Sequence, residues 1–340
     1  MGSLMAAEAL SAAAAVAAQG AQAGERIAAL AERLASAQPK LAVTVARGSS
    51  DHAASYFAYL VMQRLGVPVV SLPMSLVTLH KAPLAVSGQL AVALSQSGES
   101  PDLVDTMSAL RAAGATTAAL VNRTESPLAK RCEWVVPLCA GDERAVAATK
   151  SYITALTAIA RLVARWQRDE RLLASIEALP GRLEAAAQVD GSPIIDALVG
   201  AERAMVVGRG LGFAVALESA LKLKETCTLQ AEAFSSAEVR HGPMALIDKG
   251  YPLIAFALRG PEQAGIIELA REMRGRGARV TLAAPPEVAE ADVKLVTADD
   301  PVLDPILAIQ TFYLVVAKLA EARGLDADAP RHLSKVTLTR

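Results

Sequence analysis

The 340-residue sequence is poor in cysteine and histidine and carries almost no net charge. Its three cysteines, Cys132, Cys139 and Cys227, cannot build a disulfide framework and have no metal-site spacing. They point to a reducing compartment and read as small core residues. With only His52, His80, His241 and His332, the sequence argues against a His-rich metal centre, and neither a metal nor another cofactor is expected. The 34 basic and 35 acidic side chains leave a net charge of −1. Without a basic excess to displace phosphate counterions, a nucleic-acid partner is not expected. No stretch reaches about 18 consecutive apolar residues, so no transmembrane helix and no membrane partner are expected. Residues 12–18 have the apolar look of a signal-peptide core, but no basic segment precedes them: Glu8 comes before the first cation, Arg26.

What is present is apolar surface: 53% of residues are hydrophobic, enough to exclude a disordered chain. At about 150 residues per domain, the length implies two domains. Sixteen of the first 40 residues are alanine, which predicts a helical N-terminal arm over residues 1–40. Beyond it the chain repeats a pattern. Leu41–Ala46 runs into Arg47-Gly48-Ser49-Ser50 and then a helical stretch; Ala204–Val207 runs into Gly208-Arg209-Gly210-Leu211-Gly212 and another. About fifty residues after each turn, a second apolar run (91–94 and 254–258) is followed by a helix (101–113 and 262–275) and a third run (116–121 and 279–284). Runs that are apolar throughout, alternating with helices, indicate parallel strands covered on both faces. The expected fold is α/β, with two tandem domains (41–190 and 191–324), each a flavodoxin-like αβα sandwich. A helical region from about Thr149 to Ala187, interrupted at Pro180-Gly181, joins them, and a last helix follows Pro305. The tail, 325–340, is expected to be an ordered extension or lid. A globular cytoplasmic protein is the resulting expectation.

Ser95-Gln96-Ser97-Gly98-Glu99-Ser100 lies between a predicted strand and a helix that opens with Pro101 and Asp102. A helix N-terminus offers unpaired N–H groups and partial positive charge to an anion. Hydroxyls and a glycine at that point make a phosphate cradle with no lysine or arginine in the loop. Alone, such a turn reads as an ordinary N-cap. A second hydroxyl turn, Gly48-Ser49-Ser50, leaves a neighbouring strand of the same sheet, and two such turns at a parallel sheet's carboxyl edge converge on a ligand crevice. A sugar phosphate suits it better than a dinucleotide, because no GxGxxG is present there. The GxGxG at 208–212 lacks the acidic residue of a nucleotide fingerprint, so it is a weak signal.

Glu218, Lys222 and Glu225 stand at i, i+4 and i+7 and share one helix face. On a generic surface helix this is a solvated ladder. Here it follows a glycine turn, and the polar turn Glu238-Val239-Arg240-His241 comes soon after. A carboxylate, an ammonium and an imidazole suit proton shuttling at an α-hydroxy or α-amino aldehyde. His52 and His80 read as helix-terminus residues, and His332 gains interest with Lys335 only if the tail covers the cleft.

Five motifs then carry a resemblance: Leu-Ser-Gln-Ser-Gly-Glu-Ser (94–100), Ala-Thr-Lys (148–150), Leu-Glu-Ser-Ala-Leu-Lys-Leu-Lys-Glu (217–225), Val-Arg-His-Gly-Pro-Met-Ala-Leu-Ile-Asp (239–248) and Pro-Arg-His-Leu-Ser-Lys-Val-Thr (330–337). In this order they resemble the sugar isomerase (SIS) superfamily, and most of all the isomerase half of the glutamine–fructose-6-phosphate aminotransferases. The resemblance implies that Ser95, Gln96, Ser97 and Ser100 hold a phosphate, with Ser49 and Ser50 in the other hydroxyl turn. It implies that Glu225 moves a proton between C1 and C2, supported by Lys222 and Glu218. It makes His241 the ring-opening group, reaching in from the neighbouring subunit of a homodimer, and Lys335 the tail amine that forms an imine. Val146 and Ala148 fall among the sugar-binding positions, where Ala148 replaces a serine usual in the family.

About forty residues precede the first strand, and the first cysteine is Cys132, so a glutaminase is not expected in this chain. The isomerase machinery would then run toward deamination of glucosamine 6-phosphate, giving fructose 6-phosphate and ammonia. Two alternatives stand beside it: action on another phosphosugar such as galactosamine 6-phosphate, and a non-catalytic phosphosugar sensor. A sensor has no use for Glu225, Lys222, His241 and Lys335 together.

Overall fold

The structure is a computed structural model that describes residues 2–335. Residues 336–340, and with them the end of the 330–337 motif, lie outside the described residues. The chain forms two compact units. One holds Ala14–Glu143, Lys150–Glu177 and, of the tail, Ser334 and Lys335; the other holds 2–13, Arg144–Thr149 and Ala178–Leu333.

The first unit is built on β1 (Ala42–Val45), β2 (Val69–Ser71), β3 (Leu90–Ser95), β4 (Thr116–Val121) and β5 (Trp134–Pro137), in the order β2-β1-β3-β4-β5. Every pairing is parallel. All residues of β1, β3 and β4 are buried, as expected where helices cover both faces. On one face Val43, Val45, Ala91, Ala93, Ala119 and Val121 pack with Leu103, Met107 and Leu110 of the helix Pro101–Ala112. The chain leaves β1 toward β2 on one side, whereas β3 leads away on the other. This topological switch point brings the two hydroxyl turns to neighbouring carboxyl ends.

The second unit repeats the plan with β6 (Arg203–Gly208), β7 (Gln230–Ser235), β8 (Pro252–Phe256), β9 (Arg279–Ala284) and β10 (Val293–Lys294), ordered β10-β9-β8-β6-β7 and again parallel. The helices Gly212–Cys227 and Asp304–Ala322 belong to this unit. The second is apolar on nearly every face, and Phe312 meets Phe256 of β8 edge-on, with ring centroids 6.1 Å apart. By length and composition, the stretch Pro301–Ala322 could cross a membrane, but 89% of its apolar window is buried inside the protein. The bent pair Leu4–Leu10 and Ala12–Ala37, bent by 47°, passes the same test only when taken together.

The predicted break at Pro180-Gly181 is displaced. The helices are Lys150–Gln167, Glu170–Glu177 and Leu179–Ala186, with breaks at Arg168, where φ is +59°, and at Ala178, two residues before Pro180. Pro180 sits in the first turn of its helix, where its missing N–H costs no hydrogen bond, so it starts a helix instead of ending one. Near the N-terminus the chain forms two helices, Leu4–Leu10 and Ala12–Ala37. Residues 325–335 form neither helix nor strand.

Candidate functional site

In the β1–β5 unit, Gly48 takes a positive φ of 54° and precedes the helix Ser49–Leu65, placing Ser49 and Ser50 in its first turn. At the next strand end, Ser95 closes β3, and its hydroxyl accepts the Gly98 N–H at 2.9 Å. The Ser97 hydroxyl accepts the Glu99 N–H at 3.4 Å. With lone pairs committed to the backbone, both hydroxyls keep their protons for an acceptor such as a phosphate oxygen. The Ser50 and Gln96 side chains form no hydrogen bonds among the described residues.

Gly98 is required by geometry. Its φ is +66°, and a Cβ there would lie 2.2 Å from Ser126 Oγ and 2.6 Å from Ser126 Cβ. Ser126 is buried and caps the helix Pro127–Arg131 through the Ala129 N–H, so it cannot swing aside freely. Gly98→Ala is expected to cost about 1–3 kcal/mol and to displace the serine loop, read as a lower urea midpoint together with weaker phosphate binding.

Arg47, in the first hydroxyl turn, reaches the helix that follows the second. Its Nη2 and Nε donate to Asp102 Oδ2 at 2.7 and 3.3 Å, and the Ser100 hydroxyl donates to Asp102 Oδ1 at 2.9 Å. Asp102 is 2% exposed, whereas the Arg47 side chain is 56% exposed. Burial pushes the Asp51 carboxyl up, and His52 and Arg47 partly offset that. The loop's own sequence contains no cation, so this arginine went unassigned. Its only signal is adjacency to Gly48-Ser49-Ser50, and its pairing with a residue 55 positions away belongs to the tertiary fold.

In the same unit Lys335 Nζ donates to Glu143 Oε2 at 2.9 Å, and Glu143 also accepts the Ser151 N–H at 3.0 Å and hydroxyl at 2.6 Å. Glu143 is a further residue that motif spacing did not single out.

In the β6–β10 unit, the helix Gly212–Cys227 carries Glu218, Lys222 and Glu225 on one face, and the face is not a solvated ladder. Lys222 is 1% exposed; its Nζ donates to Glu225 Oε2 at 2.6 Å and lies 3.4 Å from Glu218 Oε1. Tyr313 of the Asp304–Ala322 helix donates its hydroxyl to Glu218 Oε1 at 3.0 Å. Burial alone would lower the Lys222 pKa, but Glu218 and Glu225 reverse this, so the ammonium is held above its ordinary range. Glu225 remains 21% exposed, and its Oε1 forms no hydrogen bond among the described residues. A carboxylate with one oxygen pinned by a buried cation and the other open is positioned to accept or return a proton.

The segment Arg144–Thr149 also belongs to this unit. The buried Glu8 carboxylate accepts the Arg144 and Ala145 N–H groups at 2.6 and 3.2 Å. Val146 and Ala148 are partly exposed, while Ala145, Ala147 and Thr149 are buried, in a segment that bends at 145–147. His241 ends the 3₁₀ turn Glu238–His241; it is exposed, and its ring forms no hydrogen bond or ion pair among the described residues. The structure thus brings Glu218, Lys222 and Glu225 into contact, and Lys335 onto Glu143. Among the described residues, no hydrogen bond or ion pair joins His241 to the charged helix. Among the described residues, no group of three or more His, Cys, Asp or Glu could hold a metal ion.

A family model described as SIS domain matches residues 37–165 and 197–284. The chain is 34% identical over 316 residues to the glutamine–fructose-6-phosphate aminotransferase (isomerizing) of Symbiobacterium thermophilum, covering 86% of this chain and 50% of the relative. It is 36% identical over 301 residues to the protein of the same name from Methanothermobacter thermautotrophicus, with 86% and 50% covered. The chain therefore spans about half the length of these curated relatives. Among solved structures, a candidate phosphosugar isomerase from Silicibacter pomeroyi DSS-3 matches with a TM-score of 0.91 at 36% identity, covering 96% of this chain and 100% of that one. The glucosamine-6-phosphate deaminase of Thermotoga maritima matches with a TM-score of 0.74 at 22% identity, over 96% and 99% of the two chains, a likeness of fold.

Proposed function

The chain belongs to the SIS-domain family, and from that premise we propose that it is a phosphosugar isomerase-type enzyme that deaminates glucosamine 6-phosphate. The observation that carries the reading is Glu225, held by buried Lys222 with one carboxylate oxygen open. In this reading Ser49, Ser50, Ser95, Gln96, Ser97 and Ser100 hold the phosphate, with Val146 and Ala148 along the sugar. His241, supplied by the neighbouring subunit of a homodimer, assists ring opening. Glu225 takes the proton from C2 of the open-chain amino aldehyde and returns it to C1. With an amine proton passing to the C1 oxygen as well, the C1 aldehyde becomes a hydroxymethyl group and the C2 amine an imine. Water adds at C2, ammonia leaves, and fructose 6-phosphate remains. Lys222 and Glu218 keep the Glu225 carboxylate oriented, and Lys335 supplies an amine that can meet the sugar carbonyl.

A second reading is isomerisation of a phosphosugar without loss of nitrogen. It is favoured by the 36% identity to the Silicibacter pomeroyi candidate isomerase, whose whole length is covered. One experiment separates the two. The purified protein is given glucosamine 6-phosphate, its galactose epimer and the N-acetyl forms, and ammonia and ketose phosphate are followed separately. Ammonia in step with fructose 6-phosphate, with no glutamine added, is the expected result. Ketose without ammonia would replace the deaminase with an isomerase, and binding without turnover would leave a sensor.

A further inference from the structure

Glu218 and Glu225 compete for one cation. The Lys222 ammonium stands 2.6 Å from Glu225 Oε2 and 3.4 Å from Glu218 Oε1. That division is the reverse of what burial alone would set. Glu218 is 0% exposed and Glu225 21%, and opposite charges attract most strongly where water is excluded. A fully buried carboxylate also has no solvent to take up its lone pairs. On burial alone the ammonium should lean toward Glu218. What separates the two carboxylates is Tyr313 of the Asp304–Ala322 helix, whose hydroxyl donates at 3.0 Å to Glu218 Oε1, the same oxygen that faces Lys222. Tyr313 is itself 0% exposed, on a helix buried along nearly all of its length, so packing fixes its ring. This neutral donor satisfies part of Glu218 and leaves the ammonium to Glu225.

We propose that Tyr313 is a positioning residue for the proton transfer: by donating to Glu218 it directs the Lys222 ammonium onto Glu225 and fixes where that carboxylate stands. This rests on the reading of Glu225 as the group that moves the proton. Tyr313 need not touch the sugar, since its hydroxyl reaches the chemistry through Glu218 and Lys222. Removing the hydroxyl returns Lys222 to the more deeply buried carboxylate and loosens its hold on Glu225 Oε2. The open oxygen of Glu225 then loses its fixed direction, and a reacting group displaced by about 1 Å can cost about 100-fold in rate. The sequence gives no signal for this residue, because it stands 95 positions from Glu218 on a helix that reads as core.

The test uses the full chain and the phosphosugar that it turns over fastest. Values of kcat and KM are measured for the parent, Tyr313→Phe, Glu218→Gln and the double variant, each corrected for its folded fraction. Tyr313→Phe keeps the ring and deletes one oxygen. It is expected to lower kcat about 10- to 100-fold and to leave KM within about 3-fold of the parent, since geometry is lost at the base and not where the substrate is held. In the Glu218→Gln background no charged competitor for Lys222 remains, so Tyr313→Phe is expected to cost less than about 3-fold more. A ring that served only packing would cost the same factor in both backgrounds. That result, a kcat for Tyr313→Phe within about 3-fold of the parent, or a loss confined to KM overturns the proposal. Glu225→Gln, run beside them, keeps two failures apart. If it retains the parent's kcat, or if no phosphosugar is turned over, the proton-transfer reading falls and this proposal with it. If it is inactive while Tyr313→Phe is unimpaired, only the positioning role is lost. Should Tyr313→Phe fail to fold, as judged by its thermal transition, Glu218→Gln and the double variant decide. Both folded and within about 3-fold of each other in kcat is then the expected result, and a larger gap or an unfolded double variant overturns it.

Discussion

Glu225→Gln is expected to lower ammonia release from glucosamine 6-phosphate by about 10²–10⁴-fold, the usual worth of a positioned general base. The side chain keeps its size, and the amide oxygen can still accept from Lys222 Nζ, now 2.6 Å from Glu225 Oε2. What is lost is the ability to carry a proton from C2 to C1. The effect should therefore fall on kcat, with phosphate affinity unchanged, and exchange of the C2 proton with deuterated solvent should stop in parallel. Glu225→Asp keeps the acid but withdraws it by one methylene, and a partial loss is expected. Near-normal ammonia release by Glu225→Gln would remove Glu225 from the chemistry.

Lys222→Met is expected to destabilise the protein by about 3–5 kcal/mol, measured by urea unfolding, because breaking a buried ion pair from one side strands the other charge. The stranded group is Glu218, 0% exposed, which keeps only part of its present support, the Tyr313 hydroxyl among it. Adding Glu218→Gln to Lys222→Met should return much of the loss, since the pair is then replaced by neutral groups. The pH dependence carries its own sign. The folded-state pKa of Lys222 is raised above the ordinary 10.5, so the folded protein binds this proton more tightly than the unfolded chain does. The resulting stability is complete below about 10.5 and is lost as pH rises through the folded value. Parent and Lys222→Met should therefore converge in stability when titrated into that alkaline window. A gap that stays constant there would mean that packing, and not the charge, sets the cost.

The fold was legible because parallel strands buried on both faces announce themselves locally. The interiors of β1, β3, β4, β6, β8 and β9 are short apolar runs, and β1, β3 and β6 end in glycine or serine turns. The edge strands are a different case. β7 reads Gln-Ala-Glu-Ala-Phe-Ser, with few of the residues that favour strands, and it becomes a strand by pairing with β6 from Arg203–Gln230 to Gly208–Ser235. β2 and β10 span three and two residues, too short for any periodicity to register. Pro180 misled for a related reason: proline stops a helix or starts one according to its place in the turn, and place is set by neighbours.

The candidate site divides in the same way. By itself the sequence determined the groups available: two hydroxyl turns at strand ends, and Glu218, Lys222 and Glu225 on one helix face, since a helix repeats every 3.6 residues whatever surrounds it. It could not say whether that face meets water. The tertiary structure decided this by burying Lys222 between two carboxylates and bringing Tyr313, 95 residues away, onto Glu218. It also decided the partner of Arg47, because only the parallel pairing of β1 with β3 brings a turn at residue 47 beside a helix that begins at residue 101. Local chemistry is written along the chain. Desolvation and charge pairing depend on what the fold brings near, and those two set which groups can hold or move a proton.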